Sequence, residues 1–598
     1  MAHRSRPFAA VLLVCLAALG PTTTATAAAG EWPAPPAGLL QQARCTVDPE
    51  ADSEISQLRI EDWHLLNDLG PGFRRSFFEQ VKVFDERGAR RWARIDVRVP
   101  YEKSRQPDIV DLEARTLLPD GTVLDATFPS PKSQVAFDEF GRRVTQWSFA
   151  PRGVAPGCVL QLRWRIDAPG LLNSTYYVPL QFAVPLRDLR LEVRPVRDTP
   201  FYYSAIRCAP GVKLDDHHNL YTFTLHDQPA LAGEPDAPPE ALVRAAVVLF
   251  YSTANKKEPA EYWLDLGHTL ATLFDSRTVP DRAARRLFED SLATSAGPVA
   301  QLERLVTFCR TRLRRVDRDV DSLAAARARG DSDGAEVLRL RRGTDFGVTY
   351  ALGALCRTAG FETRLLRVAR QDEWPFRQES LNGGFLPAPA IAVRFGGQWL
   401  PLSAVAPRED WDMLPWPEEG NYALLCDRDS TCFITTPIGA AGQSAIERRG
   451  DLELRADGTL EGEWRLRFTG HWNERVRSDL DDGAMSLREA LGERGLLGTA
   501  DCEVSAVEAE NLASDWEPLR VRAHVRVTNH AVPGERRTVV EPAVMRAHEL
   551  DTANVITTRS LVFTGTLRSR TSRRHSSGTT RRRCRTRSRR CRGCRWCR

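Results

Sequence analysis

Between His268 and His471 the sequence has no histidine, although 11 are spread over its 598 residues. A histidine base is therefore excluded from residues 269–470, and with it any thiol or hydroxyl nucleophile that would need one there. Lysine is scarce, at six of 83 basic side chains. Beyond the first 30 residues no apolar run reaches about 18, so no later segment reads as a membrane-spanning helix. No glycine-rich phosphate loop precedes a helix, which excludes the common nucleotide cradles. What remains is 42% hydrophobic and 27% charged, a composition that is neither disordered nor fibrous. At this length the chain can bury two to four domain cores.

The opening "MAHRSRPFAAVLLVCLAALGPTTTATAAAG" has a basic start (Arg4, Arg6), an apolar run from Phe8 to Leu19 and small-residue cleavage options after Ala27 or Ala29. It reads as a secretory signal peptide over 1–29, which predicts a periplasmic or secreted protein. Cys15 follows Leu13-Val14 where a lipoprotein signal wants a small residue, so lipid anchoring is disfavoured. The net charge of +5 conceals an asymmetry, because residues 568–598 hold 14 arginines and no acid, leaving −9 before them. Such a tail can be an arm for nucleic acid or a membrane surface. An out-of-frame read of G+C-rich DNA also yields Arg, Ser, Thr, Gly and Cys, and that reading is preferred: a disordered tail, with no nucleic-acid partner expected. Eight cysteines lie in the body: Cys45, Cys158, Cys208, Cys309, Cys356, Cys426, Cys432 and Cys502. Export permits disulfides, and "NYALLCDRDSTCFITT" reads as a hairpin in which Cys426 and Cys432 can face each other.

From about 50 to 235, short alternating runs such as "RSFFEQVKVFDERG", "CVLQLRWRID" and "NLYTFTLHD" are divided by turn signals, the pattern of a β-sandwich. Residues 240–440 change character, with helical stretches "PAEYWLDLGHTLATLF" and "PVAQLERLVTFCRTRLRRV" ahead of strands "FETRLLRVA" and "PAIAVRFGGQWLPLS". That is an α+β domain. Strands return from 445 to 567, with one helix near "MSLREALGERG". In "RRGTDFGVTYALGALCRTAGFE", Val348, Ala351, Leu352, Leu355 and Cys356 form a helical stripe, Thr344 or Asp345 can cap its start, and Gly360 can end it.

The phrases "VPYEKSRQPDIVDLEARTLLPDGTVLD", "YYVPLQFAVPLRDLRLEV" and "QPALAGEPDAPP", followed by "LRRGTDFGVTYALGALCRTAGFETRLLRV" and "LPWPEEGNYALLC", carry a resemblance. The chain resembles exported bacterial proteins that join a domain of unknown function to a transglutaminase-like domain, over most of 60–567. The resemblance implies a papain-like α+β middle domain. It also implies a cysteine at the start of this helix, a histidine on a following strand and an aspartate on the next. Laid on this sequence with Ala359-Gly360 as register, those positions fall at Asp345, at or beside Pro389, and near Pro401, so all three triad residues are lost. Chemistry of that kind needs a thiolate made acidic by a helix N-terminus and an imidazolium. Asp345 reads instead as a cap that favours the helix dipole.

Cys356, the nearest thiol, lies on the apolar stripe and reads as a core residue. "KLDDHHNLYTF" places His217 and His218 beside Asp215 and Asp216, but neighbours on a strand point to opposite faces, so it reads as a polar turn rather than a metal site. No metal or other cofactor is expected. The sequence thus predicts a non-catalytic binding or scaffolding protein, a pseudoenzyme, whose partner is a peptide, a glycan or an envelope protein. The competing expectation is a cysteine hydrolase or amide transferase with an unrecognised arrangement.

Overall fold

The computed structural model describes residues 32–569, apart from 69, 103–106, 129–131, 140–141, 169–174, 232–239, 253–257, 294–295, 317–332, 373–374, 407, 441, 482–485, 494–501, 513, 515–516, 529, 534–537 and 541–559. The expected signal peptide and the Arg-rich tail beyond Ser569 lie outside the described residues.

Period-2 alternation makes the first region a series of strands. These are β1 (Ser53–Asn67), β2 (Gly70–Val83), β3 (Ile95–Glu102), β4 (Asp108–Leu117), β5 (Val123–Thr127), β6 (Lys132–Glu139), β7 (Arg142–Phe149), β8 (Val159–Ala168), β9 (Thr175–Pro179), β10 (Leu186–Arg194), β11 (Phe201–Ile206), β12 (Gly211–Asp215), β13 (Leu220–Gln228) and β14 (Ala246–Tyr251). One sheet of eight runs β12-β13-β10-β1-β2-β8-β4-β5, and β11-β14-β9 and β3-β7-β6 form two sheets of three. Leu162 and Leu191 of the large sheet share one buried cluster with Val178 and Val247 of one small sheet and Val97 and Trp147 of the other. Both small sheets therefore pack on the same core. β14 lies where the middle domain was expected to open, yet it pairs with β9 and β11.

The middle region holds helices at Pro259–Arg277, Arg282–Leu287, Pro298–Arg312, Gly334–Leu340 and Asp345–Thr358. Its strands are β15 (Arg314–Arg315), β16 (Arg342–Gly343), β17 (Thr363–Val368), β18 (Ala388–Phe395), β19 (Gln398–Leu402), β20 (Tyr422–Leu425) and β21 (Cys432–Thr435). An antiparallel sheet, β19-β18-β17-β20-β21, backs the helix Asp345–Thr358. Every residue of that helix from Gly347 to Cys356 is buried, so it is the centre of its domain rather than a surface helix with one apolar stripe. Helix Gly334–Leu340 crosses it closely at a glycine, since a Cβ on Gly334 would lie 2.5 Å from Tyr350 O.

The last region contains β22 (Ala445–Leu454), β23 (Leu460–Phe468), β24 (Cys502–Glu510), β25 (Arg520–Val527), β26 (Ala531–Pro533), β27 (Thr538–Val540) and β28 (Ser560–Ser569), with helices His471–Asp481 and Leu487–Glu493. Its five-stranded sheet runs β24-β25-β23-β22-β28, and β28 lies parallel to β22 from Ser560 to Ser569, two residues past the expected domain end. The chain is thus strand-rich and multidomain. Among the described residues no helix is long and apolar enough to cross a membrane.

Candidate functional site

The helix start is built by two short segments. Arg314 and Arg315 pair in parallel with Arg342 and Gly343, which carries Arg315 to within a residue or two of the helix cap. Thr344 is that cap, its Oγ1 accepting from the Gly347 N–H at 3.1 Å. Asp345 is therefore the first helical residue and not the cap. Its carboxylate is taken by Arg315, with Nε donating to Oδ1 at 2.6 Å and Nη2 to Oδ2 at 2.7 Å, while Arg315 Nη1 donates to Val405 O at 3.0 Å. A two-point fork of this kind fixes both position and orientation. The ring of Phe346, the next residue, lies 4.9 Å from the Arg367 guanidinium carbon, and burial holds that guanidinium below its usual range.

Pro389 pairs with Arg367 on β17 and shares the face of Ile391 and Val393, which pack in the cluster around the helix. Its carbonyl accepts from Thr349 Oγ1 at 3.4 Å. Pro401 is different. It pairs with Ala392, three residues along β18 from Pro389, and an odd step on a strand changes face. Ala388, Ala390 and Ala392 belong to a separate cluster on the far side of the sheet. The structure brings Asp345 and Pro389 to one side of the sheet and does not bring Pro401 to them.

The thiols are likewise dispersed. Cys356 is fully buried in the helix core, and that burial pushes its thiol up to about 12. Burial also raises Cys309 well above the usual thiol range, Cys426 to about 12 and Cys45 to about 11. The expected Cys426–Cys432 bridge is corrected by the hairpin register: Cys432 pairs with Leu425, so buried Cys426 falls one residue out of step with exposed Cys432, and both are free. Asp215 and His218 make an exposed ion pair at 2.8 Å in the turn after β12. Among the described residues no group of three or more His, Cys, Asp or Glu is placed to hold a metal ion.

Sequence reasoning missed one histidine near this domain. His471, the first residue beyond the empty interval, opens a helix of the last region and folds back onto the loop after β19. Its Nδ1 lies 2.7 Å from Glu409 Oε1 and its Nε2 3.2 Å from Glu419 Oε1. Burial alone would lower its pKa, but hydrogen bonds to and charges on the two glutamates raise it to about 10. It is a clamped imidazolium, not a free base. Arg310 fixes the same loop by donating to the carbonyls of Ser403, Glu409, Asp410 and Met413 at 2.8–3.0 Å. Buried Glu418 is pushed up to about 8, first by desolvation and further by the charges of Glu409 and Asp345 against the opposing charges of Arg370 and Arg315. The ensemble is a set of fixed charges around a helix start, and among the described residues it includes neither a thiolate nor a free imidazole.

Residues 77–232 match a domain family of unknown function with a solved structure, DUF3857. No curated protein matches the chain. Among solved structures the chain is similar to a candidate protease from Parabacteroides distasonis, at 11% identity over 80% of this chain and 93% of that one, with a TM-score of 0.43. It is also similar to a candidate cysteine protease from Cytophaga hutchinsonii, at 9% identity over 57% and 85% of the two chains with a TM-score of 0.18. An M1 zinc metallopeptidase from Deinococcus radiodurans matches at 10% identity over 33% and 43% of the two chains, with a TM-score of 0.16.

Proposed function

We propose that the chain is an exported, non-catalytic binding or scaffolding protein whose middle domain keeps a transglutaminase-like scaffold without a Cys/His/Asp triad. The observation that carries this reading is the Asp345–Arg315 pair, which stands where a thiolate would be needed. The burial of Cys356 and the clamping of His471 support it further. The proposed layout is a β-sandwich over 50–235, the degenerate domain over 240–440 and a β domain from 445. Export rests on the 1–29 pattern and implies the periplasm or the exterior. The partner is a peptide, a glycan or an envelope protein.

The test is direct. Purified mature chain is incubated with glutamine-containing and cell-wall-type peptides, and ammonia release and peptide cleavage are followed against a blank. No turnover is expected. Turnover that disappears in Cys356→Ala would make the chain a thiol enzyme and end this reading.

A further inference from the structure

The buried face of the eight-stranded sheet carries a carboxylate with no partner among the described residues. Glu79 on β2 is opposite Leu58 on β1 and Leu162 on β8, both core residues, so its side chain shares their face. Among the described residues no group hydrogen-bonds or ion-pairs with it. Phe73, Arg75, Phe77 and Glu79 alternate along this face of β2 and are only half-buried, as is Trp164 on β8. On the flanking strands β1 and β4 the same face is closed, with Ile60 at 4% and Ala114, opposite Leu162, at 1% exposure. β2 and β8 are therefore less covered on this face than the strands beside them, up to buried Val81 and Leu160, and this strip is the candidate groove.

The groove has a definite chemistry. Phe77 and Trp164 stack with ring centroids 4.8 Å apart, forming an aromatic wall beside Glu79. The Trp164 indole Nε1 is buried and has no acceptor among the described residues. Arg75 does not neutralise Glu79, because it pairs with Asp62 at 2.7 Å and stacks on Phe73 and Tyr176. A carboxylate beside π faces suits an ammonium on an apolar stem, and an orphan N–H suits a carbonyl. One amino-acid residue offers all three. We propose that this groove binds a lysine residue of a peptide, its ammonium on the Glu79 carboxylate, its methylenes along Phe77 and Trp164, and its carbonyl accepting from Trp164 Nε1. The groove lies in the first region, so this site stands apart from the reading of the Asp345 domain.

Burial alone pushes the Glu79 carboxyl up to about 7. Among the described residues the other charged or titratable groups on this face are Arg75, Asp62, His64, Cys158 and Tyr221 from the large sheet and Tyr176 and Tyr251 from the small sheet above them. Only the ionised carboxyl attracts an ammonium, so binding strengthens as pH rises from about 6 to about 8.

The experiment is calorimetric titration of the full chain with Nα-acetyl-lysine N-methylamide, with the norleucine analogue and chitobiose as comparison probes. The lysine probe should bind more tightly at the higher pH. Glu79→Gln should weaken it about tenfold and remove the pH dependence, and Trp164→Phe should weaken it several-fold. Glu61→Gln, exposed on the opposite face of β1, should leave it unchanged, and an unaltered thermal midpoint shows that each variant is folded. Equal binding of the norleucine probe, preference for chitobiose, undiminished binding in Glu79→Gln, or no binding of the lysine probe at millimolar concentration overturns the proposal.

Discussion

Arg315 holds both carboxylate oxygens of Asp345, at 2.6 and 2.7 Å, at the first turn of the central helix of the middle domain. The side chains are 17% and 28% exposed, between the weak surface pair and the fully buried one. Removing one partner should cost about 1–2 kcal/mol, because the other is left half-desolvated. Asp345→Ala and Arg315→Ala should each lower the thermal midpoint by several degrees, and the double variant by less than their sum. Additive effects would mean the pair is not coupled.

Thiol chemistry gives a second expectation. A buried thiol raised to about 12 has almost no thiolate at neutral pH, whereas Cys432 is exposed on β21. In the native chain iodoacetamide should therefore modify Cys432 first among the eight body cysteines. Cys309, Cys356 and Cys426 should react only after unfolding. Peptide mass mapping over time reads the order, and early labelling of Cys356 would contradict the core assignment.

The clamp at His471 makes stability depend on alkaline pH. A folded-state pKa of about 10 against an ordinary 6.5 means the stabilisation is present below about pH 6.5 and is lost as pH rises through 10. Glu418, raised from 4.5 to about 8, acts in the same direction, since its deprotonation places a charge beside Glu409 and Asp345. The thermal midpoint should fall in two overlapping stages, one between about pH 4.5 and 8 for Glu418 and one between about 6.5 and 10 for His471. Glu418→Gln should remove the lower stage and His471→Gln the upper.

How far the sequence revealed this depends on the kind of signal. Val348, Ala351, Leu352, Leu355 and Cys356 are all within 1% of full burial, and a 3.6-residue period is visible without any tertiary knowledge. The histidine-free interval was equally legible. The faces of Pro401 and Cys426 were not, because one residue of register reverses a strand side chain and nothing local fixes that residue. Arg315 and His471 were hidden for another reason. Each reaches its partner through a tertiary contact, across 30 residues to Asp345 and 62 to Glu409, and a charged residue looks the same in sequence whether solvated or clamped.

Strand β28 sets a limit on truncation. Its ten residues pair with β22 along their whole length, so their removal would leave β22 as a bare edge. Truncation after Ser569 should leave the thermal midpoint unchanged, since the Arg-rich segment beyond it repels itself and has little apolar surface. Truncation just before Ser560, which deletes the strand as well, should lower the midpoint by several degrees or yield insoluble protein. If the two truncations behave alike, the parallel pairing contributes nothing to stability.

The most discriminating variant places a thiol at the helix start. In Asp345→Cys the new side chain stands at a helix N-terminus beside a guanidinium that has lost its carboxylate, and both features stabilise a thiolate. This cysteine should react with iodoacetamide faster than free cysteine at pH about 7. Reactivity is not turnover, however. Adding Pro389→His puts an imidazole on the helix side of β18, beside the buried Arg367 guanidinium, which opposes the imidazolium needed to protonate a leaving amine. The position expected to orient that ring, Pro401, lies on the other face of the sheet, while Leu402 occupies the near face. The general base typically accounts for about 10²–10⁴-fold of such catalysis, and here it would be mispositioned as well as unoriented. The double variant should be alkylated rapidly yet hydrolyse and transamidate nothing above a blank. Measurable turnover in it would mean that the scaffold still holds a productive cleft, and that only two side chains separate this protein from an enzyme.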